Sequence, residues 1–290
     1  IRPNILIVQE ITTEAGFDLF RDSVANLLDV PLVGVWDPDE DDDLHSLIFY
    51  DRSKVTLANA FRYSHEDLTR SLGVYSLHVT HADSIIVVAG HLKAGRDTED
   101  VAQRAQEALA FDELMEQVVS SPWLLGLPEG AQLIFGADFN IYRSQEAAYM
   151  TMTEVAPAAR RLHDPIERPG VWNNNADFAD VHTQSPRARQ FAGGAHGGLD
   201  DRFDQILVSQ MMRDYVDSAS YTAFGNDGAH FNDSINAMPN SAVSAEIAQA
   251  LHDASDHLPV FVDMELPWVM SVEEEGRRQR FELDLSDNCP

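Results

Sequence analysis

The sequence of 290 residues has little cysteine and no long apolar run. Its one cysteine, Cys289, lies next to the C-terminus, so no disulfide can form within the chain and a small disulfide-stapled fold is excluded. No run approaches the roughly 18 apolar residues that span a membrane, and Ile1 to Glu10 lack the charged, apolar and small-residue zones of a signal peptide. We therefore expect a globular protein, a monomer, with no membrane span.

Positive charge is also scarce. Lys and Arg total 20, with lysine only at Lys54 and Lys93, against 48 Asp and Glu, and the formal net charge is −28. The electrostatic field of so much negative charge repels polyanions over roughly 10 Å at 0.1 M salt, and a high salt concentration screens it. We therefore expect a nucleic-acid partner only at high salt. We interpret the acidity as adaptation to a salty environment, with an ordinary acidic secreted protein as the alternative.

Apolar residues make up 44% of the chain, which is enough for a substantial core. Short apolar runs bounded by turn residues predict strands buried on both faces. Amphipathic stretches predict helices, the first of them after the cap residue Thr13. The predicted strands are Ile5–Val8, Leu32–Trp36, Ser46–Tyr50, Val74–Val79, Ile85–Gly90, Leu133–Phe135, Phe203–Val208 and Leu258–Met264, and the predicted helices are Glu14–Leu28, Thr98–Val119, with its Glu and Arg residues outward, and Gln145–Val155.

These elements predict one α/β domain over residues 1 to 267. Strands outnumber helices, which favours an α/β sandwich with mixed sheets and helices outside. The composition changes after Pro267, and residues 268 to 290 are interpreted as a tail that holds an edge strand at Phe281–Leu285 or as the stub of a further segment. The acidic stretch from Asp37 to Asp43 is interpreted as a solvated turn; calcium binding is the alternative, although the stretch lacks the glycine and terminal glutamate of an EF-hand loop.

Polar, acid-containing residues stand directly at the ends of several predicted strands. Loop residues held by rigid strands are where catalytic groups concentrate, because the strands fix the geometry while the loops stay accessible. Each acid alone is more often a turn or cap residue, and a lone histidine is more often structural, but their coincidence favours a functional site. The residues are Glu10 in ILIVQEI, His91 in IIVVAGHLKAG, Asp138 and Asn140 in LIFGADFN, and Asp256 and His257 in ASDHLPVFV.

Spacing within these motifs makes further predictions. Asp138 and Asn140 are two apart, so in an extended chain they point the same way and could hold one reacting atom. His257 faces away from the acid that precedes it, so it needs another acid to orient it, and Asp204 in DRFDQILV is available. We expect Gly136 together with Ala137 to leave space for a substrate to approach.

Taken in order, QE after ILIV, GHLKAG, GADFN, DRFDQILVS and SDHLPVFV resemble the motifs of the endonuclease/exonuclease/phosphatase superfamily. This superfamily includes pancreatic deoxyribonuclease, apurinic endonucleases, sphingomyelinases and inositol polyphosphate 5-phosphatases. The resemblance covers residues 3 to 266. It implies a four-layered α/β sandwich, in which two mixed β-sheets pack face to face with helices outside, and metal-dependent cleavage of a phosphate ester.

The resemblance also implies a metal site. Glu10 matches the principal metal-binding glutamate of the family, and Asp256 matches an aspartate that also serves the metal. Magnesium suits one or two carboxylates plus waters, whereas two histidine ligands would instead suggest zinc. We therefore expect Mg²⁺, with Mn²⁺ or Ca²⁺ as alternatives.

Catalytic roles follow from the same resemblance. His257 matches the catalytic histidine, and Asp204 stands where the family places the acid that pairs with it. Asp138 and Asn140 match the pair around the nucleophilic water and the phosphate, and His91 matches a phosphate-contacting histidine. Further substrate-binding candidates are Arg70, His230 and Asn232.

The chain departs from the family pattern at its start. The family begins with an asparagine-bearing strand ahead of the QE strand, and here the sequence starts at the second strand. Either that strand is missing from this sequence, or the tail around Phe281–Leu285 takes its place. The loop at residues 221 to 236 resembles loops of secreted bacterial members, which favours a secreted or periplasmic protein; the cytoplasm of a salt-accumulating organism is the alternative.

A nuclease-like phosphodiesterase is our first interpretation of the function. Apurinic-site repair is disfavoured because duplex binding relies on a basic surface. Inositol phosphatase activity is disfavoured because no cysteine precedes Asp201-Arg202, and sphingomyelinase activity because Trp172 is the single modest candidate for an apolar loop. The alternative from another class is a catalytically silent binding module. That alternative predicts a broken motif, and apart from the first strand we find none broken.

Overall fold

The computed structural model describes residues 2–130 and 132–267. Two layers of strands pack face to face, and helices cover the outer faces. The strands are β1 (Ile5–Ile11), β2 (Leu32–Val35), β3 (His45–Asp51), β4 (Val55–Tyr63), β5 (Leu72–Val79), β6 (Ser84–His91), β7 (Gln132–Asp138), β8 (Leu162–His163), β9 (Asp204–Ser209), β10 (Val216–Ala223) and β11 (Val260–Met264), and the α-helices are α1 (Glu14–Ser23), α2 (Thr98–Ser120), α3 (Ala147–Met150) and α4 (Ala245–Ala254).

One layer is a six-stranded mixed sheet in the order β4-β5-β6-β7-β9-β8. Its strands are antiparallel except for β6 and β7, which run parallel because α2 carries the chain back across the sheet. The pairing brings three strand termini side by side. His91 is the register partner of Asp138, and Asp138 is the register partner of Asp204.

The other layer consists of two separate antiparallel pieces, β1-β3-β2 and β10-β11. β1 lies against β6 and β7, and β11 lies against β9. Within residues 2–130 and 132–267, β1 and β11 are each paired along one edge. The predicted sandwich is confirmed, but this layer is divided and antiparallel where a single mixed sheet was expected. The predicted edge strand at Phe281–Leu285 lies outside the described residues.

Gly136 of β7 sits at the contact between the two layers. A Cβ atom at this position would lie 2.4 Å from Cδ1 of Ile7, a residue of β1. The glycine therefore lets the two layers approach each other. The prediction that Gly136 leaves space for a substrate was wrong, because the side chain of Ile7 fills that space.

All eight predicted strands are present, and Thr13 caps α1 by accepting a hydrogen bond from the backbone N–H of Gly16 at 3.1 Å. The sequence reading missed β4, β8, β10 and α4. β10 is largely exposed along its first half and carries no continuous apolar run. It therefore shows neither the alternating pattern of a half-buried strand nor the apolar run of a fully buried one. No helix of the described residues is long and apolar enough to cross a membrane.

The acidic stretch from Asp37 to Asp43 is attached to the sheet. Asp37 accepts hydrogen bonds from Arg62 and Tyr75, and Asp42 accepts from the backbone and hydroxyl of Ser71. The interpretation as a freely solvated turn was therefore wrong for these two acids. In the part of the chain that the structure describes, no acidic cluster has the arrangement of a metal site, so the calcium alternative is not supported.

Candidate active site

His257 and Asp204 form the best-defined pair of the site. Nδ1 of His257 donates to Oδ2 of Asp204 at 2.7 Å, the pairing that the sequence predicted. Asp204 begins β9, and His257 lies three residues before β11, so the contact joins the two layers. Burial disfavours a charge on His257, but the Asp204 carboxylate and its hydrogen bond outweigh burial and raise the pKa of His257 to about 10. At neutral pH the ring is therefore an imidazolium.

Asp138 lies at the centre of the constellation. Its Oδ2 is 3.5 Å from Nε2 of His91 and 3.9 Å from Nε2 of His257. Burial raises the pKa of Asp138 to about 7, although the charge on His257 acts in the opposite direction. A carboxyl group that gains and loses its proton near neutral pH is suited to general base catalysis.

His91 ends β6 and is buried, with 4% of its side chain exposed. Burial, followed by the positive charges of Arg70 and His257, lowers the pKa of His91 to about 4. The ring is therefore neutral at neutral pH and carries one N–H. Its Nδ1 has no hydrogen-bond partner among the described residues and lies 3.9 Å from Oε1 of Glu10.

Asn140 does not continue the strand, because its backbone adopts a left-handed φ of 52°. Its own N–H donates to Oδ1 of Asp138 at 2.9 Å, and its amide Nδ2 donates to the carbonyl of Leu92 at 3.2 Å. The prediction of an extended chain through Asp138 and Asn140 was therefore wrong at Asn140. Asn140 instead holds the Asp138 carboxylate and the loop that follows His91.

The two predicted metal ligands have different surroundings. Glu10, with 61% of its side chain exposed, faces His91. Asp256 is bound by a loop of the chain: its Oδ2 accepts from the backbone N–H of Ala195 at 2.6 Å. Within residues 2–130 and 132–267, no group of three or more His, Cys, Asp or Glu side chains is arranged to hold a metal ion.

This donor set still distinguishes between metals. Zinc needs three or four protein ligands, which the described site lacks. Mg²⁺ is commonly held by one or two carboxylates and completes its shell with waters and substrate phosphate. The exposed carboxylate of Glu10 fits that second mode. Glu10 also has a left-handed φ of 62°, an unfavourable conformation for this residue type that is found most often at functional sites.

The three further candidates have different surroundings. Arg70 contributes to the low pKa of His91, and its buried Nε and Nη1 have no hydrogen-bond partner among the described residues. His230 is 4% exposed, and its ring nitrogens contact Asp227 at 2.7 Å and the carbonyl of Ala237 at 2.6 Å, so neither is free for a substrate. Asn232 is exposed and donates to Asn174. The geometry thus favours Arg70 and speaks against His230.

Arg104 and Glu107 of α2 are buried and bind the loops that carry site residues. The prediction that the Glu and Arg residues of this helix point outward was wrong for these two. Arg104 is fully buried and donates to the carbonyls of Lys93 and Gly95 and to Glu146. Glu107 is 1% exposed and accepts from the backbone N–H of Lys93 at 2.8 Å and from Thr69. Together they fix the loop after His91 and the residue before Arg70.

The sequence reading also missed Gln184. Its Nε2 lies 2.9 Å from Nε2 of His257, closer to that atom than Asp138 does. No local pattern marks this residue, because a glutamine in a loop is common and its partner is distant in the sequence.

No family model matches the chain, and no curated protein sequence matches it either. Solved structures do match. A mannosyl-6-phosphatase from Bacteroides thetaiotaomicron is 17% identical, with a TM-score of 0.54 over 90% of this chain and 85% of that one. An endonuclease/exonuclease/phosphatase protein from Bacteroides vulgatus is 16% identical, with a TM-score of 0.53 over 91% of this chain and 85% of that one.

A TDP2 structure from C. elegans matches more loosely, with 18% identity and a TM-score of 0.47 over 71% of this chain. This chain spans 55% of that protein's length. At such identities, shared structure indicates a shared fold and leaves the activity open. The chain has the fold of the endonuclease/exonuclease/phosphatase superfamily, as its ordered motifs implied.

Proposed function

We propose that this protein is a hydrolase of phosphate esters, and in particular a phosphodiesterase with nuclease-like chemistry, in which water attacks phosphorus in line with the leaving group. One observation carries the proposal: Oδ2 of Asp138 lies 3.5 Å from Nε2 of His91 and 3.9 Å from Nε2 of His257, and Asp204 holds the other nitrogen of His257 at 2.7 Å. A base and two imidazole rings thus face one small volume.

Asp138 is the base in this mechanism. A phosphodiester is an anion and repels hydroxide, so the attacking water has to lose its proton as it approaches phosphorus. With a pKa of about 7, Asp138 is largely ionised just above neutral pH and still basic enough to accept that proton. Asn140 holds Oδ1 of Asp138 through its backbone N–H, which leaves Oδ2 for the water.

His257 and His91 supply hydrogen-bond donors for the charge that develops on the phosphoryl oxygens. The imidazolium of His257 donates from Nε2, while Asp204 fixes the ring through Nδ1. Donors that are already oriented in a buried site stabilise such charge without having to reorganise. Arg70 adds a guanidinium whose buried Nε and Nη1 have no hydrogen-bond partner among the described residues, and we assign it to a phosphoryl oxygen as well.

We assign the predicted Mg²⁺ to Glu10, whose exposed carboxylate is the described ligand that fits it. When bound, such a cation would neutralise charge on a phosphoryl oxygen. The same cation and a high salt concentration would reduce the repulsion between a chain of net charge −28 and a nucleic-acid substrate. A nucleic acid at high salt is therefore the substrate class that we propose to test first.

A substrate panel tests this proposal. Wild-type protein is incubated with single- and double-stranded DNA, bis(4-nitrophenyl) phosphate, 4-nitrophenyl phosphate, a hexose 6-phosphate and sphingomyelin, at low and high salt, with Mg²⁺ or with EDTA. The hexose 6-phosphate is included because one structural neighbour is a mannosyl-6-phosphatase. We expect Mg²⁺-dependent hydrolysis of the diesters. Absence of hydrolysis under every condition would favour the silent binding module.

A further inference from the structure

The side chain of Gln184 contacts the reactive nitrogen of His257. Its amide Nε2 lies 2.9 Å from Nε2 of His257, whereas Oδ2 of Asp138 is 3.9 Å from the same nitrogen. Since Nδ1 of His257 is already bound to Asp204, Nε2 is the ring nitrogen that remains for a substrate. The amide of Gln184 therefore stands where an oxygen bonded to His257 would have to come.

The backbone fixes Gln184 in this place from two sides. Its N–H donates to the carbonyl of Asp201 at 3.1 Å, and its carbonyl accepts from the N–H of Asp201, also at 3.1 Å. It also forms an isolated β-bridge with His257, and the neighbouring Thr183 accepts from the N–H of Leu258 at 2.8 Å. The position of the side chain beside His257 is thus built into the backbone, while the amide end can still rotate.

The amide group of Gln184 can give up its hydrogen bond with His257 to a phosphoryl oxygen of the substrate. One end of the group donates hydrogen bonds and the other accepts them. Because the imidazolium of His257 donates from Nε2, the amide oxygen of Gln184 is the atom that accepts there, and rotation of the amide exchanges it with the nitrogen that lies 2.9 Å from this atom. A non-bridging phosphoryl oxygen only accepts. When such an oxygen takes the hydrogen bond from His257, the amide loses its partner on the ring and has its N–H groups available for the same phosphoryl group.

We propose that Gln184 is a substrate-contacting residue, which partners Nε2 of His257 in the free protein, yields this nitrogen to a phosphoryl oxygen, and then donates its own N–H to that phosphoryl group. This inference rests on the proposed function. The neutrality of the amide matters, because Asp138, Asp201 and Asp204 already surround this volume and a further carboxylate would repel an anionic ester.

Two variants and one control test the inference. Gln184→Ala removes the donor, and Gln184→Glu keeps the size of the side chain but replaces the donor with a negative charge. Gln210→Ala is the matched control, because Gln210 is exposed just beyond the far end of β9. On bis(4-nitrophenyl) phosphate we expect kcat to fall about 10²-fold in Gln184→Ala with little change in KM, the scale for one donor to developing charge. Gln184→Glu should be slower still, and Gln210→Ala should match wild type.

Binding of inorganic phosphate, measured by calorimetry, gives a readout that does not depend on turnover. We expect wild type and Gln210→Ala to bind phosphate and Gln184→Glu to bind it at least tenfold more weakly. If the alanine variant does not fold, the isosteric glutamate variant still decides the question. Equal activity in wild type and both Gln184 variants, or equal phosphate affinity in wild type and Gln184→Glu, would overturn the role of Gln184 while leaving the proposed function intact. A wild type that neither hydrolyses an ester nor binds phosphate would overturn both.

Discussion

The two strand layers contribute to the site in different ways. Every residue of β7 in the six-stranded sheet is buried, whereas none of β1 in the opposite layer is. The buried sheet supplies His91, Asp138 and Asp204 from adjacent strand ends. The divided layer supplies Glu10, whose side chain is 61% exposed, and His257, which precedes β11 and is bound to Asp204 of the sheet.

The difference in burial suits acid–base catalysis at the buried positions and cation binding at the exposed one. Acid–base groups need perturbed pKa values and fixed distances, and burial in a complete sheet provides both. A hard cation such as Mg²⁺ keeps much of its water, so an exposed carboxylate can serve it. We therefore expect substitutions of the acid–base groups, including His257, which Asp204 of the six-stranded sheet holds, to lower turnover, and substitution of the exposed Glu10 to lower cation affinity.

The largest effect should come from His257. His257→Ala removes the imidazolium beside Asp138, and we expect turnover of a phosphodiester to fall about 10²–10⁴-fold, the usual scale for an acid–base residue. His196→Ala is the control, because His196 is exposed in the loop before β9. Steady-state kinetics compare the two. Near-normal turnover in His257→Ala would remove this residue from the mechanism.

A substitution of Arg104 tests how much its buried ion pair with Glu146 contributes to stability. Arg104→Ala strands the buried carboxylate of Glu146 and frees the carbonyls of Lys93 and Gly95, so we expect a loss of about 3–5 kcal/mol in the free energy of unfolding. Arg160→Ala breaks partly exposed ion pairs with Asp112 and Glu116 of α2 and should cost about 1 kcal/mol or less. Urea unfolding measures both, and equal losses would contradict the importance of the buried pair.

The contact between the layers can be tested by a double-mutant cycle. Gly136→Ala places a methyl group against Cδ1 of Ile7, and we expect a loss of about 1–3 kcal/mol in the free energy of unfolding. Ile7→Val removes that Cδ1 and should itself cost about 0.5–1.5 kcal/mol. The double variant should lose less than the sum of the two single losses. Simple additivity would mean that Gly136 does not serve this contact.

Glu10 and Asp256 test the assignment of the cation. Glu10→Gln should raise the Mg²⁺ concentration for half-maximal activity by roughly 10-fold or more, since even outer-shell partners of a metal contribute that much. Asp256→Asn should change it less, because the carboxylate of Asp256 is bound to the backbone of Ala195. Mg²⁺ titrations of activity distinguish them. A larger effect in Asp256→Asn would reverse the assignment.

The smallest expected change concerns pH. Asp138 acts as a base when ionised, so activity should rise as pH passes about 7, and His257 keeps its proton up to about pH 10, so activity should persist until then. Burial also raises the pKa of Asp201 to about 7. Asp201→Asn should therefore leave the lower limb of the pH–rate profile in place. If Asp201→Asn no longer shows the rise in activity near pH 7, the titration of Asp201 causes that rise and the titration of Asp138 does not.

The sequence predicted the strands whose apolar runs are continuous and the residues at their ends. The eight apolar runs became strands, and the pairing of His257 with Asp204 followed from the need of one histidine for an acid. β10 escaped prediction because exposure over its first half leaves no apolar pattern.

Side-chain direction was the part that the sequence could not supply. Asn140 turns back because its φ is left-handed, and Asp256 turns to Ala195 because a loop from elsewhere offers an N–H. Arg104 and Glu107 point inward although they are charged, since Glu146 and backbone groups satisfy them there. Such partners are distant in the sequence and become neighbours only in the folded chain.

The most direct measurement of the central claim compares wild type with Asp138→Asn. The substitution preserves the shape of the side chain and removes the base that lies between His91 and His257. With Mg²⁺ present and circular dichroism showing an intact fold, we predict that hydrolysis of bis(4-nitrophenyl) phosphate falls about 10²–10⁴-fold. Hydrolysis by Asp138→Asn at the wild-type rate would contradict the assignment of this site.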